Sequence, residues 1–168
     1  MPKVERSTPP KPRAKTPEQA LALLMRQCAR GEKCSYDAQT SMRRWGIADE
    51  DAKGILERLQ RERFIDDGRY AAAYVREKMR FSGWGARKIA AALRAKRIAP
   101  RHIQEALEQL SPEGDSERLE AMLRKKAATI SAKNDYDLKG KLVRFGVGRG
   151  FDLDDVLSAI EQVLRSSE

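Results

Sequence analysis

The chain has 168 residues, enough to bury a real core in one ordinary domain or a short repeat array. Lys and Arg number 34 against 25 Asp and Glu, and Cys28, Cys34 and His102 are the whole cysteine and histidine complement. A zinc site needs four ligands in tight pairs, so metal binding is not expected, and no apolar run has the length of a membrane span or of a signal-peptide core.

Nothing in the sequence suggests the oxidising compartment that a Cys28–Cys34 disulfide would need, so the expected location is the cytoplasm. The net charge of +9 is regional. Residues 69–111 carry ten basic groups against three acidic ones, whereas residues 17–68 and 112–168 each sum to −1. A clustered basic patch is the electrostatic footprint of nucleic-acid binding, although a charge run can also be only a solvated face.

Residues 1–15, MPKVERSTPPKPRAK, are rich in Pro, Lys and Arg and nearly devoid of apolar groups. Such a segment cannot offset its ordering entropy and is expected to stay disordered. Order is expected from Thr16, an N-cap with Pro17 at the first helical position and Gln19 completing a capping box. That helix passes through Leu21, Leu24, Met25 and Cys28 and stops at Gly31. Ser35 is expected to cap a second helix, through Ala38 and Met42 to Trp45 and Gly46. A third, from about Asp49, sets Ile55, Leu56 and Leu59 on its apolar side, with acidic residues in the first turn, where they complement the helix dipole. These form a first three-helix module over residues 16–64.

The stretch FIDDGRYAAAYVREKMRFSGWGARKIAAALRAKRI, residues 64–98, opens a second module over residues 65–111. Asp66-Asp67 precedes a helical pattern and reads as an N-cap rather than a metal-carboxylate pair. In the helix that follows, Tyr70, Ala71, Tyr74, Val75 and Phe81 share one side, the spacing of a core face, while Arg69, Arg76 and Arg80 stack on the other. After Ser82-Gly83-Trp84-Gly85, Ile89, Ala92 and Leu93 form a buried stripe and Arg87 and Arg94 project away. Trp84 reads first as a structural plug and second as a platform on which an unpaired base stacks beside Arg87 and Lys88.

The pattern repeats. An offset of 51 places Leu23 on Tyr74, Leu24 on Val75, Met42 on Leu93, Ile47 on Ile98, Leu56 on Leu107 and Leu59 on Leu110. A looser third copy, residues 112–168, sets Leu119 and Leu123 on Tyr70 and Tyr74, and Leu142 and Val147 on Leu93 and Ile98. After about three inserted residues, Val156, Ile160 and Val163 fall on Ile103, Leu107 and Leu110. A period near 50 with helical phase means tandem helical modules. No stretch alternates as a strand does, so the expected fold is all-α: three three-helix repeats in an elongated, curved molecule.

Catalytic chemistry finds no support. No Ser/His/Asp or Cys/His constellation has a credible base, and His102 is expected to face solvent. Asp152-Leu153-Asp154-Asp155 reads as helix capping. Gly146-Val147-Gly148-Arg149-Gly150 lacks the preceding strand and following Lys-Ser/Thr of a phosphate loop and reads as a flexible link, with Arg144 and Arg149 beside it as anion contacts.

The runs Phe64-Ile65-Asp66-Asp67-Gly68-Arg69-Tyr70-Ala71, Trp84-Gly85-Ala86-Arg87-Lys88-Ile89 and Leu93-Arg94-Ala95-Lys96-Arg97-Ile98 resemble the RecX family of regulators of the RecA recombinase. Lys141-Leu142-Val143-Arg144-Phe145 and Arg149-Gly150-Phe151 are similar to the same family. The resemblance covers roughly residues 17–165. It implies a non-enzymatic, cofactor-free protein that binds RecA and its filament on single-stranded DNA, restrains ATP hydrolysis, strand exchange and co-protease activity, and contacts DNA weakly itself. It implies a binding set of Arg69, Arg76, Arg80, Arg87, Lys88 and Arg94, to which Lys96, Arg97, Arg144 and Arg149 are added as further cations of the matching runs. The molecule is expected to be a monomer. Two other readings stand: a helix-turn-helix DNA-binding protein using residues 86–110, and an adaptor that grips a protein with its arginines merely solvated.

Overall fold

The computed structural model describes residues 14–110 and 112–165, and among them nine helices and no strand. One compact unit ends at Ile65 and a second begins at Asp66. No helix among the described residues is long and apolar enough to cross a membrane.

The first unit holds α1 (Pro17–Arg30), α2 (Ser35–Arg44) and α3 (Asp49–Arg61). Thr16 caps α1 through the expected box: its hydroxyl accepts the Gln19 N–H at 3.2 Å, and the Gln19 side chain accepts the Thr16 N–H at 3.1 Å. Ser35 does not cap α2, because the helix already begins there and Cys34 holds the cap position. The Ser35 hydroxyl instead accepts from the Gln60 amide at 3.0 Å, tying α2 to α3. Ala20, Leu24, Ala38, Met42, Ile55, Leu56 and Leu59 make the core, with Ile65 closing it. Residues 1–13 of the basic tail lie outside the described residues. Lys15, placed in that tail by sequence, is ordered: its N–H donates to the Trp45 carbonyl at 2.9 Å.

The second unit holds α4 (Asp67–Ser82), α5 (Ala86–Ala95), α6 (Pro100–Glu108), α7 (Pro112–Ala127), α8 (Asp135–Gly148) and α9 (Leu153–Arg165). Asp66 caps α4 as expected, its carboxylate accepting the Arg69 N–H at 2.9 Å. Tyr70, Ala71 and Val75 are buried, but Phe81 is 76% exposed. Its phase is right and its partner is missing. His102 at the start of α6 packs on Gly68 at the start of α4, so the two helices set off together. At 1.5 Å per residue α6 runs about 13 Å and α4 about 24 Å, so the last turns of α4 outrun it. The same packing corrects the solvent-facing reading of His102, which is largely covered and has a buried Nδ1 3.6 Å from the Glu105 carboxylate.

The third module departs from its expected register by one helical turn. Val147 is exposed, and Phe151 takes the place of Ile98. The Ile47 N–H donates to the Met42 carbonyl and the Ile98 N–H to that of Leu93, each at 3.1 Å; the Phe151 N–H donates to Gly146 at 3.3 Å. Each of these turns passes through a left-handed residue, Gly46, Arg97 or Gly150. Gly146 is therefore the counterpart of Met42 and Leu93. A Cβ there would lie 2.7 and 2.8 Å from the Cγ atoms of Val156, which fills the space. Residues 146–148 are the end of α8, not a flexible link.

Candidate functional site

The α4–α5 corner is flanked by Lys78, Arg80, Arg87 and Lys88, whereas Arg69 lies at the start of α4 and Arg94, Lys96 and Arg97 at the far end of α5. Gly83 ends α4 in the left-handed region, with its N–H on the Lys78 carbonyl. The corner is fixed from outside by two arginines of the third module. Arg118 on α7 donates to the carbonyls of Met79 (2.8 Å) and Trp84 (3.1 Å), and Arg149 donates to that of Ser82 at 2.8 Å. The Met79 and Ser82 carbonyls are among those a helix C-terminus leaves unpaired, and guanidinium groups complement the dipole there. Arg149, expected as an anion contact, is half-buried and commits one guanidinium N–H to the Ser82 carbonyl. Its guanidinium also lies 5.2 Å from the Phe145 ring, which Lys126 approaches to 5.4 Å.

Backbone contacts complete the junction. Gly85 N–H donates to the Arg149 carbonyl at 2.8 Å, and Arg87 N–H to that of Gly150 at 3.0 Å. The chains approach so closely that a Cβ on Gly85 would stand 2.5 Å from the Gly150 oxygen.

On this frame Arg76, Arg80, Arg87 and Arg94 are exposed, as their helical phase predicted. Arg69, Lys88 and Lys96 are half-buried, and Arg97 and Arg144 are exposed. Arg87 lies 3.3 Å from the Asp152 carboxylate, a pair more than 60% exposed on both sides and so weak. Asp152 thereby reaches across to α5 as its carbonyl accepts the Val156 N–H in the first turn of α9. Trp84 is half-buried with two ammonium groups near its ring, Lys88 at 4.6 Å and Lys78 at 5.5 Å. Lys78 also sits 5.2 Å from Tyr74, and Arg80 lies 5.4 Å from the exposed Phe81. Lys78 escaped the sequence reading, although it lies four residues beyond Tyr74 on the same helix face.

The third module hides a charge separation behind its balanced total. Residues 121–151 carry eight basic groups and two acidic ones, while the remainder of 112–168 carries two and nine. One acid of the basic part, Asp137, is held below the usual carboxylate range, first by its hydrogen bond from Lys141 and then by the Lys133 N–H. Among the described residues no three His, Cys, Asp or Glu side chains converge as a metal site.

Two family models match the chain: RecX, second three-helix domain, over residues 66–107, and RecX, third three-helix domain, over residues 113–160. The chain is 30% identical over 149 residues to the regulatory protein RecX of Streptomyces coelicolor, covering 86% of this chain and 79% of that one. It is 28% identical over 149 residues to that of Vibrio parahaemolyticus, covering 89% and 92%. The crystal structure of RecX from Lactobacillus salivarius superposes with a TM-score of 0.78 at 20% identity, over 88% of this chain and 96% of that one, a likeness of fold.

Proposed function

The chain belongs to the RecX family of regulatory proteins, and from that premise we propose that it binds RecA and its filament on single-stranded DNA and restrains the filament's ATP hydrolysis, strand exchange and co-protease activity. The action is binding without turnover, in the cytoplasm, by a monomer that also touches DNA weakly. The observation that carries the reading is the set of exposed guanidinium groups on α4 and α5, Arg76, Arg80, Arg87 and Arg94, of which Arg80 and Arg87 flank a corner held by Arg118, Arg149 and two backbone hydrogen bonds. Guanidinium forks suit phosphates and carboxylates alike, so a DNA strand wrapped in protein offers them both. A ligand that binds one filament state better than another shifts the filament toward that state, which is how binding alone becomes inhibition.

The test is RecA ATPase on single-stranded DNA with substoichiometric amounts of this protein. Inhibition is expected there, where competition for DNA cannot produce it. Replacing Arg76, Arg80 and Arg94 together by Ala should weaken filament binding. It should also flatten the logarithmic salt dependence by about two, three lost phosphate contacts at roughly 0.7 each for a single strand. An unchanged slope would remove these residues from the interface.

A further inference from the structure

The third helices of the three modules place apolar side chains at the same two positions, and in the middle module these are not sealed. Leu56 and Leu59 of α3 are 9% and 0% exposed, and Ile160 and Val163 of α9 are 0% and 1% exposed. Their counterparts Leu107, in the last turn of α6, and Leu110, two residues beyond that helix, are only half-buried. The reason lies on α5, whose Ala86 and Ala90 are too short to cover them, whereas α8 packs Leu138, Val143 and Phe145 against the core to which α9 contributes. Leu107 and Leu110 thus stand as a ridge between two hollows, of about 340 and 740 Å³.

The rim of the smaller hollow indicates what belongs there. Leu119 and Phe151 join the ridge as apolar lining, with Asp155 of α9 exposed beside them and Asp115 of α7 paired with Arg118. Both aspartates belong to the segments in which acidic groups outnumber basic ones nine to two. Such a rim repels a nucleic-acid backbone or an anionic lipid surface. A two-fold pairing of this face with a second copy would confront one set of carboxylates with the other. A protein segment with bulky apolar side chains and Lys or Arg beside them satisfies both features.

We infer that the Leu107–Leu110 ridge and the acid-rimmed hollow between α6, α7 and α9 form a protein-docking surface for a basic segment with apolar anchors. The inference rests on the filament-binding reading and adds to it where the recombinase protein, as distinct from its DNA, is gripped. Ser158, exposed at the mouth of the hollow, offers a position from which to plug it, and exposed Asp155 one from which to reverse the rim.

The experiment compares the full-length protein with Ser158→Trp/Asp155→Lys and with Asp155→Lys alone. The probes are purified RecA assembled on single-stranded DNA and the same DNA without RecA. The double variant should bind the filament at least about tenfold more weakly and bare DNA no more weakly, since anchor pockets dominate such interfaces. Asp155→Lys alone should show part of that loss at an exposed site that leaves the fold intact. Filament binding equal to wild type in both variants overturns the surface assignment and leaves the filament reading standing. Wild-type self-association that the variants abolish, seen by sedimentation, overturns it in favour of a second copy. A wild-type protein that does not bind the filament overturns the functional reading and this inference with it.

Discussion

Gly85→Ala probes the junction between the second and third modules with a single methyl group. The backbone of Gly85 has φ −84°, which alanine adopts freely, so the cost comes from crowding rather than from torsion. The new Cβ would stand 2.5 Å from the Gly150 oxygen, 2.6 Å from its carbon and 2.7 Å from the Phe151 nitrogen. These are backbone atoms and cannot swing aside as a side chain would. Overpacking of this kind costs about 1–3 kcal/mol, and displacement endangers two backbone hydrogen bonds worth roughly 1 kcal/mol each. Partial relaxation recovers some of that, leaving an expected loss of about 3 kcal/mol. Urea unfolding followed by tryptophan fluorescence and by circular dichroism measures it. Gly148→Ala is the internal control: its Cβ meets nothing within 4 Å in the last turn of α8, so a gain of up to about 1 kcal/mol is expected. If Gly85→Ala falls within about 0.5 kcal/mol of wild type, the size of an ordinary surface change, the reasoning about this close approach is wrong.

Two further substitutions separate structure from binding. Arg149→Ala should cost about 1.5–3 kcal/mol through the lost charge-assisted bond to the Ser82 carbonyl, while the salt dependence of filament binding stays unchanged; unfolding curves and a salt titration read the two effects. Arg97→Gly should do the reverse. Arg97 sits at φ 54° where the other modules have glycine, so relief of that strain should stabilise by about 1 kcal/mol while the salt slope falls by roughly 0.7.

What could be read from sequence was whatever the sequence states locally. The Thr16 and Asp66 caps, the acidic first turn of α3 and the buried Tyr70, Ala71 and Val75 of α4 depend on residues within a few positions of each other, and they appear as expected. Errors arose where a partner lies far along the chain or where a signal has no side chain. Arg149 resembles a free cation until the Ser82 carbonyl, 67 residues away, is found to take its hydrogen bond. Gly146 holds a core position yet carries no hydrophobicity, so the pattern slid a turn early to Leu142 and left Val147 in solvent. Phe81 shows the same limit from another side: periodicity gives a direction around a helix and says nothing about where the neighbouring helix stops.

The arginines divide into two populations, and the division bears on function. The end of α4 presents carbonyls that attract any nearby guanidinium, and Arg80 in its last turn is the obvious local candidate. Arg118 and Arg149 reach in from the third module and take the Met79, Ser82 and Trp84 carbonyls instead. With that demand met from outside, Arg80 remains exposed, as do Arg76 one turn earlier and Arg94 on α5. The third module therefore does more than extend the repeat. By satisfying the helix end itself, it leaves Arg80 directed at solvent, across from Arg87, on a corner whose backbone is pinned. On the proposed reading a phosphate-bearing partner meets side chains whose backbone needs no rearrangement, so the ordering cost of association is confined to the arginine rotamers.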